Sequence, residues 1–558
     1  MTVDPESGIR VLGGSVPYAD GSEAELLRVI RDASDRSDGS DELRRHVHDW
    51  PTLYHLAPER ANLLRPLAVG PGIRVLDVGA GTGCLSRHLG ERGAEVVALE
   101  PSLARARVAA ARCGGLDGVE VVCGTPDDFE DSAGFDVVLV VGVLEYAAAA
   151  MGGASGPDSL LARLAGLVRP GGALAVAIEN QFALKYLAGL PEDHLGRPWV
   201  SIEGYPGPAG VRTHSRPVLA RMLARTGLPA QRWLFPFPDY KLPTVVVAED
   251  AYELDEAPDL VDQLVRSPVS DPAFPDVVPV FEPRRAHREM VAAGLGPDVA
   301  NSFLVIAGAD RLSVDRVVDP EALAWLYGSG RLRHWRREQV VTAGQGGVRV
   351  RSRTLGDSAP GATWLAQDGS SERAWCAGRT VEQDVLDGLA AHRLDRVTEA
   401  LTRWRRHLTD LEASPPEGVT HPFLGPGARA VLPEDHLDVE PSNFVVRDDG
   451  IVYVDCEWTV VGGVDVDLAC TRALRFLAER VVVSGAAHPW SEDITVDGIA
   501  AELGRLCDVV VDDKRLARWA DAEAQFQEVV TGAPAGEFVP HLTAVGRQSR
   551  RTIRTLSA

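Results

Sequence analysis

The chain has 558 residues, with 57 lysines and arginines against 80 aspartates and glutamates, for a formal net charge of −23. Such a length exceeds what one hydrophobic core organises and predicts two or three domains, and so large a negative charge repels phosphate backbones and argues against a nucleic-acid partner. Seven cysteines stand without a C-x-x-C pair or a His-rich cluster, which suggests neither a zinc site nor a disulfide framework and fits a cytoplasmic protein. No long uncharged apolar stretch occurs and Met1 to Ser22 is acidic, so neither a signal peptide nor a membrane span is expected.

Residues 1–70 read as a helical lead-in, in which Trp50, Tyr54 and Arg60 are candidates to cover a ligand. The next unit, residues 71–250, opens with the apolar run Val75-Leu76-Asp77-Val78, which passes directly into Gly79-Ala80-Gly81-Thr82-Gly83 at the head of a helix-compatible stretch. Glycines there allow φ > 0 and let a ligand approach the backbone without a Cβ in the way. A second apolar strand, Glu95 to Leu99, ends in Glu100, about 20 residues past the turn, where a carboxylate can accept hydrogen bonds from both hydroxyls of a ribose. Strands follow at Val119–Val122, with Asp127 and Asp128 after it, at Phe135–Val141, and at Ala173–Ile178 behind the turn Arg169-Pro170-Gly171-Gly172. Strands alternating with helical stretches predict an α/β fold with a Rossmann-like, doubly wound parallel sheet.

Asp77 to Gly83, Glu100, Asp136 and the Pro-Gly-Gly turn together resemble class I S-adenosylmethionine-dependent methyltransferases. The resemblance implies that the glycine loop (Gly79, Gly81, Gly83), entered from Asp77, lies against the methionine part of that cofactor. It also implies Glu100 on the ribose and Asp127 or Asp128 near the adenine. An NAD-binding domain is the alternative, but the turn does not complete G-x-G-x-x-G.

Open α/β sheets bind ligands beyond the carboxyl ends of their strands, so the acceptor should meet Gly142–Tyr146 and the run from Glu179 through Tyr186 to His194. Ser201–His214, rich in glycine and proline, reads as a covering loop. Methyl transfer to a hydroxyl requires in-line approach and a base within reach of its proton. His194 is the first candidate from its ordinary pKa, and Glu145 and Asp193 are next. Lysine occurs only at Lys185, Lys241 and Lys514, and two of these fall in this region, the second inside the proline-stiffened segment Phe235–Thr244. These runs resemble methyltransferase modules of bacterial surface-polysaccharide loci. That implies an O-methyltransferase acting on a sugar hydroxyl or sugar phosphate of a glycan or glycoconjugate, with a small-molecule methyltransferase of secondary metabolism as the alternative.

Residues 251–300, acidic and proline-rich as far as Pro283, read as a linker, and 301–485, opening with the strand Phe303–Ala307, as a second, α+β domain. Basic clusters at Arg331–Arg337 and Arg403–Arg406 read as solvated helix faces. In His436-Leu437-Asp438-Val439-Glu440-Pro441-Ser442-Asn443, followed by a strand ending at Asp455, the spacing suits phosphoryl transfer: an aspartate to orient a hydroxyl, then an asparagine and a second aspartate for metal. The pattern resembles aminoglycoside-kinase-like phosphotransferases, which implies Asp438 as base, Asn443 and Asp455 as metal ligands, and Mg²⁺ and ATP as cofactors. No lysine occurs between Lys241 and Lys514, and the strand Val348–Arg353 offers only arginine, which is no equivalent point charge. The nucleotide site therefore reads as compromised. The domain is then a docking platform for partner proteins, with a bifunctional enzyme and a non-catalytic scaffold for glycan assembly as alternatives. Residues 486–558 read as C-terminal helices.

Overall fold

A computed structural model describes residues 2–13, 20–150, 156–207, 210–274, 277–356 and 362–549. Two short strands, β1 (Thr2–Val3) and β2 (Arg10–Val11), precede β3 (Arg74–Val78), β4 (Glu95–Glu100), β5 (Val119–Cys123), β6 (Phe135–Val141) and β7 (Val168–Glu179). Then come β8 (Ala230–Phe237), β9 (Val245–Ala248), β10 (Ser302–Gly308), β11 (Ala322–Gly328), β12 (Arg337–Thr342), β13 (Arg349–Thr354), β14 (Leu365–Gln367) and β15 (Ser370–Ala374). All of these except β14 join one 14-stranded sheet in the order β1-β2-β5-β4-β3-β6-β7-β10-β8-β9-β11-β12-β13-β15.

Strands β3 to β7 pair in parallel. They are apolar on both faces: Val75 enters the core on one side, and Leu76 and Val78 the core on the other, as expected for a sheet covered by helices twice over. Strand order reverses between β3 and β6. That switch point opens a crevice beyond the strand ends, where the glycine turn after β3 faces the turn after β6.

Three expectations are corrected. The strand at Phe303–Ala307, assigned to a second domain, is β10, and it lies inside the first sheet: Val305 pairs with Val176 of β7 on one side and Trp233 of β8 on the other, both antiparallel. Every residue of β10 is buried, so the strand needs neighbours at both edges and both faces, and only an interior position supplies them. The stretch read as a linker contains helices Leu260–Leu264 and Pro283–Ala292, and its end is anchored where Asn180 Nδ2 donates to Asp298 O and Ala300 O at 2.7 and 2.8 Å. Finally, the Pro-Gly-Gly turn does not precede β7 but is a bulge within it. Gly171 has φ +79°, and the pairing with β6 shifts register between Phe135 and Val137.

From β9 the sheet continues without a break into β11, β12, β13 and β15, all antiparallel. Beyond it, helices Val381–Ala390, Leu394–Asp410, Val466–Ser484, Val496–Leu506 and Asp513–Thr531 enclose a separate core that includes Trp404, Trp458, Leu474 and Phe526. Among the described residues no helix is long and apolar enough to cross a membrane.

Candidate active site

The glycine turn has the backbone the sequence predicts. Gly79, Gly81 and Gly83 have φ of +71°, +57° and +77°. A Cβ on Gly79 would collide with Val143 Cγ2 and one on Gly83 would lie 2.8 Å from Ala109 Cα, whereas at Gly81 the nearest atom is 4.0 Å away. Gly79 and Gly83 are therefore glycine for packing, and Gly81 is where a ligand can approach. The Gly81 N–H donates to Glu100 Oε2 at 2.8 Å and the Ser102 N–H to Oε1 at 2.8 Å. Burial raises the Glu100 pKa, and these two amides oppose the shift. One carboxylate thus locks the turn to the end of β4, and each oxygen keeps a lone pair for a diol. Asp77 is pushed up to about 6 by burial, against the Ser86 hydroxyl donating at 2.6 Å and the nearby Arg60 charge. Arg60 lies 4.7 Å from the Tyr54 ring and donates to Tyr240 O at 3.1 Å, while Trp50 stacks on Tyr54 at 6.0 Å. The lead-in therefore packs against the segment that carries Tyr240. Asp127 and Asp128 are exposed, and Asp128 accepts the Thr125 hydroxyl at 2.7 Å.

At the opposite side, Glu145 sits on the short turn Leu144–Tyr146 after β6 and Glu179 ends β7; they are 1% and 0% exposed. Each has one oxygen, Oε2, buried without a hydrogen-bond partner. His194 comes from a loop and points between them: its Nε2 is 3.6 Å from Glu145 Oε1, its Nδ1 is 2.9 Å from Glu192 Oε1, and its edge meets the Tyr146 ring at 5.4 Å. Glu192 is itself fixed by the amides of His194 and Leu195 at 2.9 and 2.8 Å.

Two candidate roles change on this evidence. Burial alone would lower the His194 pKa, but Glu179, Glu145 and Glu192 outweigh it and push it up to about 11. Near neutral pH the ring in this arrangement is an imidazolium with no lone pair to act as a base. Asp193 accepts from Lys185 and Lys241, each at 2.9 Å, and from the Tyr186 hydroxyl. Against the effect of burial, the two ammonium groups hold its carboxyl well below the usual range, so it is a structural counter-ion. Lys185 also binds Asp239 at 2.5 Å and Asp271 at 3.0 Å, and Lys241 binds Glu179. The scarcity of lysine was the sequence signal for this network. Its Asp271 arm went unseen because it lies in the stretch read as a linker.

In the C-terminal part, Asn443 Nδ2 donates to Asp438 O at 2.8 Å and Arg472 pairs with Asp438 at 2.5 Å. Burial pushes the Asp438 carboxyl up to about 7, opposed by Arg472 and reinforced by Asp455. Asp455 is raised by burial and by Glu457. The spacing thus brings Asp438, Asn443 and Asp455 together. Arg349, Arg351 and Arg353 are 45%, 67% and 56% exposed on β13, and their ion pairs are with Glu372 and Glu338. Arg331–Arg337 is not a solvated helix face: Arg336 and Arg337 are buried, and Arg337 begins β12. Its Nε and Nη1 lack hydrogen-bond partners, Nη1 is 3.9 Å from Glu457 Oε1, and its charge acts on Asp455.

Residues 76–174 match the family model described as a methyltransferase domain, so this part of the chain is a methyltransferase domain. Among curated proteins, the chain is similar to a ubiquinone biosynthesis O-methyltransferase of Bradyrhizobium sp. (strain ORS 278), 30% identical over 113 residues, which is 20% of this chain and 41% of that protein. It is also similar to the protein of the same name from Hahella chejuensis (strain KCTC 2396), 31% identical over 144 residues, 25% of this chain and 57% of that one. The chain thus spans about half the length of these two relatives. Among solved structures, Haemonchus contortus phosphoethanolamine N-methyltransferase 2 aligns at a TM-score of 0.28 and 15% identity, covering 45% of this chain and 52% of that one. Magnesium protoporphyrin IX methyltransferase from Synechocystis PCC 6803 aligns at 0.27 and 14%, covering 38% and 89%.

Proposed function

We propose that the chain is an S-adenosylmethionine-dependent O-methyltransferase. The observation that carries this reading is the pair of unpartnered, buried carboxylate oxygens on Glu145 and Glu179, set at the ends of β6 and β7, with Val143, two residues from Glu145, packed on Gly79 of the cofactor turn. When bound, the cofactor supplies an electrophilic methyl group. The open face at Gly81 and the lone pairs of Glu100 suit its main chain and ribose. Glu145 and Glu179 receive the acceptor hydroxyl and stabilise loss of its proton; burial raises Glu179, which brings it toward the range useful to a base. Six carboxylates (Glu145, Glu179, Glu192, Asp193, Asp239, Asp271) face two lysines and one histidine here, an excess that repels a sugar phosphate and favours a neutral hydroxyl. The acceptor we infer is a sugar hydroxyl of a glycan or glycoconjugate. The printed name of the relatives makes a small-molecule hydroxyl the alternative.

The test is transfer of labelled methyl from S-adenosylmethionine to saccharide and small phenolic acceptors, with Glu145→Gln beside wild type. Turnover should fall by roughly 10²–10⁴-fold in the variant while cofactor affinity is retained. Full activity in Glu145→Gln would remove the carboxylate gap from the mechanism.

A second reading concerns the kinase-like C-terminal part, and the buried guanidinium of Arg337, whose Nε and Nη1 make no hydrogen bond, favours it. Asn443 and Asp455 offer oxygen donors suited to Mg²⁺, and Arg337 offers a positive charge for ATP phosphates, but not the compact ammonium that pairs them in phosphotransferases. We infer a degenerate nucleotide site that serves chiefly to dock partner proteins. Transfer from labelled ATP should not exceed that of Asp438→Asn, and robust transfer abolished by that substitution would establish a bifunctional enzyme.

A further inference from the structure

The gap between Glu145, Glu179 and His194 has a geometry that an acceptor hydroxyl alone does not explain. One ligand-type atom from each residue lies within 4.8 Å of the other two. Both glutamates present a buried oxygen with no hydrogen-bond partner. The histidine is oriented from behind: Glu192, pinned by two backbone amides, takes its Nδ1 at 2.9 Å and so turns Nε2 toward the gap. A carboxylate holding the far nitrogen of an imidazole, with the near nitrogen directed at a second carboxylate, here Glu145 Oε1 at 3.6 Å, is how proteins orient a metal-binding histidine. The charge admits the same, with the ion taking the place of the proton that His194 Nε2 otherwise carries into the gap. Desolvating a carboxylate costs several kcal/mol unless a cation compensates it, and the two nearby lysines are already committed: Lys185 to Asp193, Asp239 and Asp271, and Lys241 to Asp193 and the other oxygen of Glu179.

We propose that Glu145, Glu179 and His194 bind one divalent cation of the first transition row, with Glu192 as the positioning residue for His194. One imidazole and two carboxylates form a mixed nitrogen–oxygen donor set that suits Mn²⁺ or Zn²⁺ better than Ca²⁺, which takes oxygen, or a soft ion, which takes sulfur. Three protein ligands leave coordination positions open. Into one of these the acceptor oxygen enters, and the ion lowers the pKa of that hydroxyl so that its proton leaves to solvent before the oxygen takes the methyl group. The acceptor's part in this rests on the O-methyltransferase reading; the ion site itself does not.

The experiment uses full-length protein stripped with EDTA and carrying Asn443→Ala and Asp455→Ala, which together remove the two oxygen donors named for the C-terminal cleft from the count. Titration with MnCl₂, followed by electron paramagnetic resonance and calorimetry, should show one Mn²⁺ per chain that Zn²⁺ displaces. Glu179→Gln and His194→Gln should abolish binding, and Glu192→Gln should weaken it roughly ten- to a hundredfold. Thermal unfolding of each variant, together with its calorimetric affinity for S-adenosylmethionine, reports whether it is folded. Failure of the parent protein to bind Mn²⁺ or Zn²⁺, or equal binding by folded Glu179→Gln and His194→Gln, overturns the site and leaves a proton on His194 Nε2 as what fills the gap. Binding of S-adenosylmethionine without the ion would overturn only the ion site. Binding of the ion without S-adenosylmethionine would overturn the methyltransferase reading and leave the ion site standing.

Discussion

Glu100 and Asp77 do different work in the same turn. Glu100 has both oxygens on backbone amides, Gly81 and Ser102, so it shapes the loop as well as offering a ligand its remaining lone pairs. Hydrogen bonds to a charged group contribute about 1.5–3 kcal/mol each. Glu100→Ala should therefore lower S-adenosylmethionine affinity at least tenfold in calorimetry on the full chain, and unchanged affinity or preferential binding of NAD would refute the cofactor assignment. Asp77 is buried and its folded-state pKa is raised to about 6. A carboxyl raised in this way favours folding fully only below its ordinary pKa, and that contribution is lost as pH rises from about 4 to about 6. Asp77→Asn should thus match wild type in stability near pH 4 and exceed it above pH 6, by on the order of 3 kcal/mol at about 1.4 kcal/mol per pKa unit. Parallel denaturant titrations at the two pH values would check this, and a constant difference between them would count against it. These two residues were legible in the sequence because turn and carboxylate recur at fixed spacing. The state of His194 was not, because the three carboxylates that surround it come from different elements, and no spacing announces their convergence.

At the scale of elements, the sheet of the methyltransferase domain was legible from β3 to β7 because each of these strands is an apolar run bounded by a glycine turn or a helix, whereas β1 and β2 are too short to show in what was read as a helical lead-in. The apolar run of β10 was legible as a strand but its place was not, because it pairs with β7 and β8 across a chain separation of more than 60 residues. That separation is why the stretch before it looked like a linker. Phe303 of β10 is edge-on to Trp233 at 5.3 Å and close to Phe235 at 6.2 Å, fully buried between them. Phe303→Ala should cost about 3–5 kcal/mol of stability, measured by denaturant unfolding. A fragment ending at residue 250 would retain every residue proposed for the cofactor, yet it would leave unpaired the edges of β7 and β8 that β10 occupies. It should aggregate or remain unfolded, whereas a fragment that folds and binds S-adenosylmethionine would show β10 to be dispensable.

For the molecule as a whole, a linker between independent domains predicts two unfolding events, and the observed connections predict one. Trp325 of β11 pairs with Val246 of β9, so the same sheet runs through both parts. The lead-in reaches across as well: Arg336 pairs with Asp41 at 2.6 Å, and Asn62 donates to Ser329 Oγ at 2.9 Å. Between the helices, Glu382 is fully buried and receives Arg284 at 2.7 Å, from the stretch read as a linker, and Arg480 at 2.5 Å, from the C-terminal core. Breaking a buried ion pair of this kind by separating the parts would leave uncompensated charge worth about 3–5 kcal/mol, and strand separation would leave the backbone groups along the edges of β9 and β11 unpaired. Neither part can therefore unfold while the other keeps its native surface. Differential scanning calorimetry should show a single transition with equal calorimetric and van't Hoff enthalpies. S-adenosylmethionine at a hundredfold excess over its dissociation constant should stabilise that entire transition by about 2.7 kcal/mol. Two transitions, only one of them moved by the ligand, would mean that the continuous sheet does not couple the halves.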